Sequence, residues 1–167
     1  MFTQTQEDWR WNVFEVKLDG SGFRKMIENE EPDLDFYDGT YLPDGRILAV
    51  SNIGYQGVPC VNGDDTVGNL VLYNPADGNL RRITFDQDAN WNPVVMNNGK
   101  VMYTRWEYTD LTHYYSRIVM HMNPDGTAEK GFLLPQESAE YYDFFDRSYN
   151  VPEFMVEPVG ITPHEFA

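Results

Sequence analysis

Residues 70–84 read LVLYNPADGNLRRIT and contain an alternating apolar strand, an Asp-Gly turn and a second, mixed strand. Period-two alternation places every other side chain on one face of a strand. The Asp-Gly pair tolerates the positive φ angles of a tight hairpin, and the Asn-Pro pair before it sets the entry to the turn. The stretch therefore predicts a β-hairpin.

Four other stretches carry related hairpin patterns. Residues 14–26 (FEVKLDGSGFRKM) and 118–127 (IVMHMNPDGT) repeat the alternating strand and the Asp-Gly turn. A second kind of hairpin lies between them, at residues 41–51 (YLPDGRILAVS) and 94–105 (VVMNNGKVMYTR). Because the two kinds alternate along the chain, they predict units of four antiparallel strands.

The spacing of the turns indicates a repeat. The turn glycines of the first kind, Gly20, Gly78 and Gly126, are 58 and then 48 residues apart, and Gly45 and Gly99 of the second kind are 54 apart. Blades of β-propellers repeat every 40–50 residues or so. The sequence therefore predicts an all-β fold, a partial β-propeller of about three four-stranded antiparallel blades with long inter-strand loops.

The whole chain, residues 1–167, is predicted to be one incomplete propeller segment. It divides into a half-blade at about 9–31, a blade at about 35–84, a blade at about 88–132, and an aromatic loop with the start of the next blade at about 133–167. A closed propeller has about 4–8 blades, and an open one leaves sheet edges exposed. The predicted partners are therefore the remaining blades of a longer protein or another copy of the chain.

Composition and charge exclude several classes of function. Hydrophobic residues make up 41% of the chain and aromatic residues 15%, as in a globular protein. The net charge of −15 argues against a nucleic-acid partner, which requires a basic surface. Apolar runs are only a few residues long, so no membrane insertion is predicted. The polar opening of the chain predicts no signal peptide.

Cys60 is the single cysteine of the chain. It cannot form an internal disulfide, and a cysteine-rich zinc site is excluded. A Cys-x-x-Cys-His haem attachment motif is also absent. The sequence therefore predicts no bound cofactor apart from a candidate Ca²⁺ site. This site is an acidic loop that contains Asp64 and Asp65, because calcium prefers oxygen ligands. Turn formation explains the same residues and is the favoured interpretation.

The repeats resemble a known family. Residues 70–84, with the aspartate-rich link and the Pro-containing strand that follow, resemble the TolB-type propeller repeat. More narrowly, residues 56–127 resemble the propeller domain of the hydrazine synthase alpha-subunit family. The matching runs are QGVPC at 56–60, LRRITFDQD at 80–88, RWEYTD at 105–110, HY at 113–114, SR at 116–117 and HMNPDGT at 121–127.

The resemblance implies a propeller module of a large, secreted or periplasmic protein whose chemistry takes place at c-type haems in other domains. Because this sequence has no haem motif and no recognisable nucleophile motif, we predict no catalytic residue in it. The function expected is that of a non-catalytic module that binds a ligand or a protein. The alternative is the propeller portion of a multidomain enzyme, similar to hydrazine synthase alpha, whose catalytic domain lies outside this chain.

A run of charged and aromatic side chains at the end of one strand and in the following loop is the candidate binding site. Long loops on rigid scaffolds often bind ligands, and aromatic faces near polar groups suit a glycan or a protein. The alternative is that Arg105 pairs with Glu107 while the aromatic rings pack between blades. The candidate ligand-binding residues are Arg105, Trp106, Glu107, Tyr108, His113, Tyr114 and Trp91.

Two aspartates follow the strand that ends near residue 84. Asp86 and Asp88 are predicted to be structural links between blades, accepting backbone N–H bonds, because a buried carboxylate must find donors. This interpretation is favoured over ligand binding. His113 and His121 are eight residues apart and are predicted to be structural histidines rather than a metal pair.

Overall fold

The structure, a computed structural model, describes residues 1–5, 10–29, 31–58, 65–106 and 117–131. Within these ranges the secondary structure is entirely β-strand, turn and coil. The strands are β1 (Phe2–Thr5), β2 (Trp11–Glu15), β3 (Arg24–Lys25), β4 (Phe36–Tyr41), β5 (Ile47–Ser51), β6 (Asn69–Asn74), β7 (Asn79–Arg82), β8 (Asn90–Val95), β9 (Val101–Trp106), β10 (Arg117–Met122) and β11 (Lys130–Gly131).

The strands form three antiparallel sheets that follow one another along the chain. Blade 1 is β1-β2-β3, blade 2 is β4-β5-β6-β7, and blade 3 is β8-β9-β10-β11. Every pair of neighbours in a sheet is consecutive in sequence, so each sheet is a simple meander. The predicted all-β partial propeller is confirmed, and the described sheets do not close into a ring. The first sheet also contains β1, a strand outside the half-blade that we predicted at about 9–31.

The hairpin turns have the backbone conformation, with a positive φ at glycine, that their sequences predict. A positive φ lets a two-residue turn follow the twist of its strands, and glycine adopts it without steric cost. Each turn glycine has a φ between 71° and 88°. These residues are Gly20, Gly45, Gly78, Gly99 and Gly126.

The first strands of blades 2 and 3, β4 and β8, share an irregularity in their strand pairing. The strand register shifts within β4 and within β8, and Asp38 and Asn92 adopt positive φ angles of 51° and 53° at the shifts. The Asn92 N–H donates to the Asp38 carboxylate at 3.1 Å, so the two shifts meet between blades. The Asp38 N–H donates to the Thr3 hydroxyl of β1 at 3.2 Å. These two hydrogen bonds link all three sheets, because they join β1 to β4 and β4 to β8.

Two apolar cores lie between the blades. Blade 2 is covered on both sides, so β5 is buried throughout: Ile47 and Ala49 pack toward blade 1, and Leu48 and Val50 pack toward blade 3. The first interface, between blades 1 and 2, contains Val13, Met26, Ile27, Leu34, Phe36, Ile47, Ala49, Val71 and Tyr73. The second interface, between blades 2 and 3, contains Leu42, Leu48, Val50, Leu70, Leu72, Ile83, Val101, Tyr103, Met120 and Met122.

Within the described residues, no helix has the length and apolar character that a membrane crossing requires.

Candidate functional site

The candidate residues lie at one end of the blades. In a meander, the first and third connections lie at one end of the sheet and the second lies at the other. The tight Asp-Gly and Asn-Gly turns are therefore together, while the loop between β5 and β6 and the link between β7 and β8 are at the opposite end. We call this the loop end, and within the described residues it contains 26–29, 31–35, 52–58, 65–68 and 83–89.

Arg105 lies near the end of β9, on the face that packs on blade 2. Its Nη1 atom is 3.1 Å from Asp86 Oδ1 and 3.4 Å from Glu129 Oε1. The Glu129 carboxylate also accepts a hydrogen bond from the Tyr103 hydroxyl. Arg105 is therefore a partly buried cation between two carboxylates, which come from the link before blade 3 and from the residue before β11.

The Asp86 side chain holds the link between blades 2 and 3 in place through an ion pair and a hydrogen bond. Besides the ion pair with Arg105, its Oδ2 atom accepts a hydrogen bond from Asn90 Nδ2 at 3.0 Å. The buried Asn90 in turn accepts the Thr84 hydroxyl at 2.5 Å, and the Thr84 oxygen accepts the Leu70 N–H at 2.8 Å. The partners of Asp86 that we observe are side chains, whereas the sequence predicted backbone N–H groups. Asp88 is buried in the same link.

Two tyrosines of the second interface have raised pKa values. Burial, with a smaller contribution from the negative charge of Asp38, raises the pKa of Tyr37 to about 12. Burial and the hydrogen bond to Glu129 raise the pKa of Tyr103 well above its ordinary value. The Tyr37 hydroxyl has a hydrogen bond with the Trp91 indole and lies so close to Gly68 that a Cβ there would overlap it.

Trp91 and Trp106 lie together at the loop end, near the start of β8 and at the end of β9. Their rings stack with centroids 5.9 Å apart and an angle of 29° between planes. The Arg117 guanidinium is 4.8 Å from the Trp106 ring and 5.1 Å from the Trp91 ring, within the range of cation–π attraction. Trp106 is buried, and the pair packs with Val58, Val67 and Ala89 from the loop end of blade 2.

The structure thus separates the predicted site residues into two groups. Arg105 forms ion pairs in the interface between blades 2 and 3, whereas Trp91 and Trp106 form a stacked pair that packs on the loop end of blade 2. Glu107, Tyr108, His113 and Tyr114 lie outside the described residues, as does Cys60.

The structure also reveals two exposed aromatic residues that sequence reasoning missed. Tyr55, in the loop between β5 and β6, is 58% exposed, and Phe85, in the link between β7 and β8, is 74% exposed. The two segments are joined because Gln56 Nε2 donates to the Gln87 carbonyl at 2.9 Å. The Arg82 guanidinium lies 4.9 Å from the Phe85 ring. We call Tyr55, Phe85 and Arg82 the aromatic loop surface. Its only sequence signal is an aromatic residue within each of two connections.

The predicted Ca²⁺ site remains a prediction. Asp64 lies outside the described residues, and Asp65 is exposed, with its backbone carbonyl accepting the Val58 N–H at 2.8 Å. Across the described ranges, no group of three or more His, Cys, Asp or Glu side chains is placed to hold a metal ion. His121 lies on β10, where burial and the charges of Lys100 and Lys130 lower its pKa.

Comparison with known proteins identifies fold relatives only. No protein-family profile matches the sequence, and no curated protein matches it. The putative TolB from Agrobacterium tumefaciens superposes with a TM-score of 0.57 at 18% identity, over 77% of this chain and 43% of TolB. Kuenenia stuttgartiensis hydrazine synthase superposes with a TM-score of 0.58 at 11% identity, over 79% of this chain and 23% of that chain.

These matches confirm the suspected resemblance to TolB-like propellers at the level of fold. This chain spans less than half the length of either relative. At such identities a likeness in fold does not carry a function with it.

Proposed function

We propose that this chain is a non-catalytic β-propeller module that binds a glycan or a protein through its loop end. The observation that carries the proposal is the pair of exposed aromatic side chains, Tyr55 and Phe85, on two connections joined by a hydrogen bond. Connections held by a rigid scaffold are frequent binding sites.

The chemistry of the aromatic loop surface suits such ligands. Aromatic rings present a large apolar face at a low cost in side-chain entropy, and they are enriched at binding hot spots. Arg82 supplies a cation beside Phe85 and the Gln56 amide lies next to Tyr55, so polar groups that could orient a ligand are close. The net charge of −15 disfavours an anionic ligand.

The test uses glycan and peptide arrays probed with the labelled full chain. We expect a defined set of ligands to be retained, and the double variant Tyr55→Ala, Phe85→Ala to lose binding by tenfold or more, since two hot-spot side chains each contribute about 1–2 kcal/mol. Leu18→Ala is the matched control, because Leu18 is an exposed apolar residue in a turn at the opposite end of blade 1.

Two results would contradict the proposal. One is the absence of any saturable ligand on either array. The other is equal loss of binding in the double variant and in Leu18→Ala. Thermal unfolding of each variant separates a loss of binding from a loss of folding, because exposed side chains contribute little to stability.

We also propose that the full protein is extracytoplasmic. The likeness to the TolB fold supports this location, in agreement with the resemblance noted in the sequence. Fractionation of cells that express the full-length gene with an epitope tag tests it, and recovery of the tagged protein only in the cytoplasm would refute it.

A second candidate is a propeller portion of a larger enzyme. The match to hydrazine synthase supports it, because 79% of this chain superposes on 23% of that protein. The full-length gene decides between the candidates. Cys-x-x-Cys-His motifs beside the propeller would favour the enzyme, and further propeller repeats alone would favour the binding module.

A further inference from the structure

The turn between β8 and β9 contains an asparagine followed by a glycine, Asn98 and Gly99. The Asn98 side chain is exposed, and its Oδ1 atom accepts the Lys100 N–H at 3.0 Å. The ring that this hydrogen bond closes passes through the Gly99 nitrogen, so the side-chain carbonyl of Asn98 is held beside the next main-chain amide. The sequence has one other Asn-Gly pair, at residues 62–63, which lies outside the described residues.

Two features of this turn favour attack of the Gly99 nitrogen on the Asn98 side chain. Glycine has no Cβ that could obstruct the approach, and the space around Gly99 is open, with no other atom within 4 Å of the position that a Cβ would take. The Lys100 N–H polarises the Asn98 carbonyl and stabilises the negative charge that its oxygen gains as a bond to the carbon forms.

One hydrogen bond of the turn opposes this attack. The Gly99 N–H donates to the Met96 carbonyl at 2.9 Å, and this bond must open before the nitrogen can lose its proton. Hydrogen bonds at the surface open locally at a much lower cost in free energy than those of a core strand. The turn therefore slows the reaction and does not prevent it.

We propose that Asn98 is a site of spontaneous deamidation. The Gly99 nitrogen gives its proton to hydroxide and forms a bond to Asn98 Cγ, which closes a cyclic imide. The bond from Cγ to the side-chain nitrogen breaks, and that nitrogen takes a proton from water and leaves as ammonia. Water then opens the imide at one of its two carbonyls, giving aspartate or isoaspartate. This inference goes beyond the proposed binding function and does not depend on the aromatic loop surface.

The turn between β4 and β5 shows that an aspartate fits at this place. Its Gly45 N–H donates to the Leu42 carbonyl at 3.0 Å, which is the same closing bond as in the β8–β9 turn. Asp44 stands where the β8–β9 turn has Asn98, and its Oδ1 atom accepts the Arg46 N–H at 3.1 Å. The aspartate product therefore keeps the hydrogen bonds of the turn and adds a negative charge.

A cation is also placed to pair with the new charge. In the β4–β5 turn, the Arg46 guanidinium lies 2.6 Å from the Asp44 carboxylate, and its hydrogen bond lowers the pKa of Asp44. Lys100 follows the glycine of its own turn as Arg46 follows Gly45. We therefore expect the aspartate product to be as stable as the parent chain.

The isoaspartate product should behave differently. It carries the main chain through the former side chain and so adds a methylene group to the turn. The Met96 N–H donates to the Lys100 carbonyl at 2.8 Å across this turn, and the added length disturbs that spacing. Isoaspartate at this place should therefore weaken the pairing of β8 with β9.

The chain supplies its own matched controls. Asn74 has the same kind of hydrogen bond, since its Oδ1 atom accepts the Ala76 N–H at 3.2 Å. The residue after it is Pro75, whose nitrogen carries no proton to lose and cannot attack. Asn97 is exposed like Asn98 but is not followed by glycine.

The test is to age the full chain at physiological temperature over a range of neutral to alkaline pH and to map its peptides by tandem mass spectrometry. We expect conversion at Asn98 to be about tenfold or more faster than at Asn74 or Asn97, which corresponds to a barrier lower by about 1.4 kcal/mol. The rate should rise with pH, because the attacking amide must lose its proton. An isoaspartate-specific methyltransferase should label the aged chain and leave aged Asn98→Gln unlabelled at this peptide.

Two further measurements complete the test. The chain aged in urea, where the turn is open, shows the rate without the Gly99–Met96 hydrogen bond and should convert several-fold faster. Asn98→Asp supplies the aspartate product directly and should unfold at the same urea concentration as the parent. The proposal would be overturned by conversion of the unfolded chain alone, or by equal rates at Asn98 and Asn74. A clear loss of stability in Asn98→Asp would contradict the match with the Asp44 turn.

Discussion

The first and second interfaces share one geometry and differ in chemistry at the loop end. In both, alternate side chains of β5 fill an apolar core: one set packs against blade 1 in the first interface, and the other set packs against blade 3 in the second. In the first, the link before blade 2 is held by a buried amide, Asn52, which bonds to the backbone of Asp33 and Asp35. In the second, the link before blade 3 is held by the carboxylate of Asp86 and the guanidinium of Arg105.

The difference shows which part of a blade interface is free to vary. Apolar burial supplies most of the stability of a fold, and it is alike in the two interfaces. The groups that fix each link are then open to change, provided that each buried polar atom finds a partner. In the second interface, the link is held by a partly exposed ion pair between Arg105 and Asp86, which lies at the loop end next to Phe85 of the aromatic loop surface.

The largest expected effect comes from β5, where one strand serves both cores. Leu48→Ala should lower the free energy of unfolding by about 2–5 kcal/mol through lost burial and a cavity in the second interface. Ile47→Ala should cost a similar amount in the first interface, because both side chains are fully buried. Urea unfolding of the two variants measures this. If either variant were as stable as the parent, that interface would not be a folded core.

The second effect is the dependence of stability on alkaline pH that Tyr37 contributes in the second interface. The pKa of Tyr37 is raised from 10.0 to about 12, so the folded state holds the phenolic proton more tightly than the unfolded state. Its contribution to stability is complete below pH 10 and is lost as the pH rises from 10.0 to about 12. The loss should be on the order of 2 kcal/mol.

Urea unfolding across that pH range measures the effect. Tyr37→Phe should flatten the fall in stability, whereas Tyr55→Phe, which removes a hydroxyl from an exposed loop, should leave the fall unchanged. An equal fall in Tyr37→Phe and in the parent would show that other groups cause it. Tyr103, whose pKa is also raised, acts with the same sign.

The third effect concerns the ion pair of the second interface. Arg105→Met leaves Asp86 and Glu129 without this partner and should lower the free energy of unfolding by about 1–3 kcal/mol, less than for a fully buried pair because both ends are partly exposed. Asp86→Asn keeps the shape and removes the charge. A double-mutant cycle gives the coupling, and a coupling of zero would contradict the electrostatic role of the pair.

The sequence revealed the fold because its signals are local. Asp-Gly and Asn-Gly turns between alternating strands specify hairpins, and their spacing specifies blades, so residues 41–51 and 94–105 formed the predicted strands. β1 was missed because Phe2–Thr5 is short and mostly polar, and it is a strand only through its pairing with β2.

The candidate site was harder to predict because it depends on contacts distant in sequence. Alternation along β9 places Arg105 and Trp106 on opposite faces, and this separation could have been inferred from the strand alone. The partners of Arg105 could not, since Asp86 and Glu129 lie 19 and 24 residues away in different connections. Likewise, the segments that carry Tyr55 and Phe85 are joined by the Gln56–Gln87 hydrogen bond, between residues 31 apart in sequence.

The smallest expected effect concerns the uncharged hydrogen bonds of Asn52, which hold the link before blade 2 at the first interface. Asn52 Nδ2 donates to the Asp33 carbonyl at 3.1 Å, and Asn52 Oδ1 accepts the Asp35 N–H at 2.9 Å. Asn52→Ala removes both bonds and should cost about 1 kcal/mol, the net value of hydrogen bonds exchanged with water at a partly buried link. Amide hydrogen exchange should speed up at Asp35, while exchange within β9 stays unchanged. Because the apolar core of the first interface is intact in this variant, a loss as large as that of Leu48→Ala would mean that the link, and not the core, holds blades 1 and 2 together.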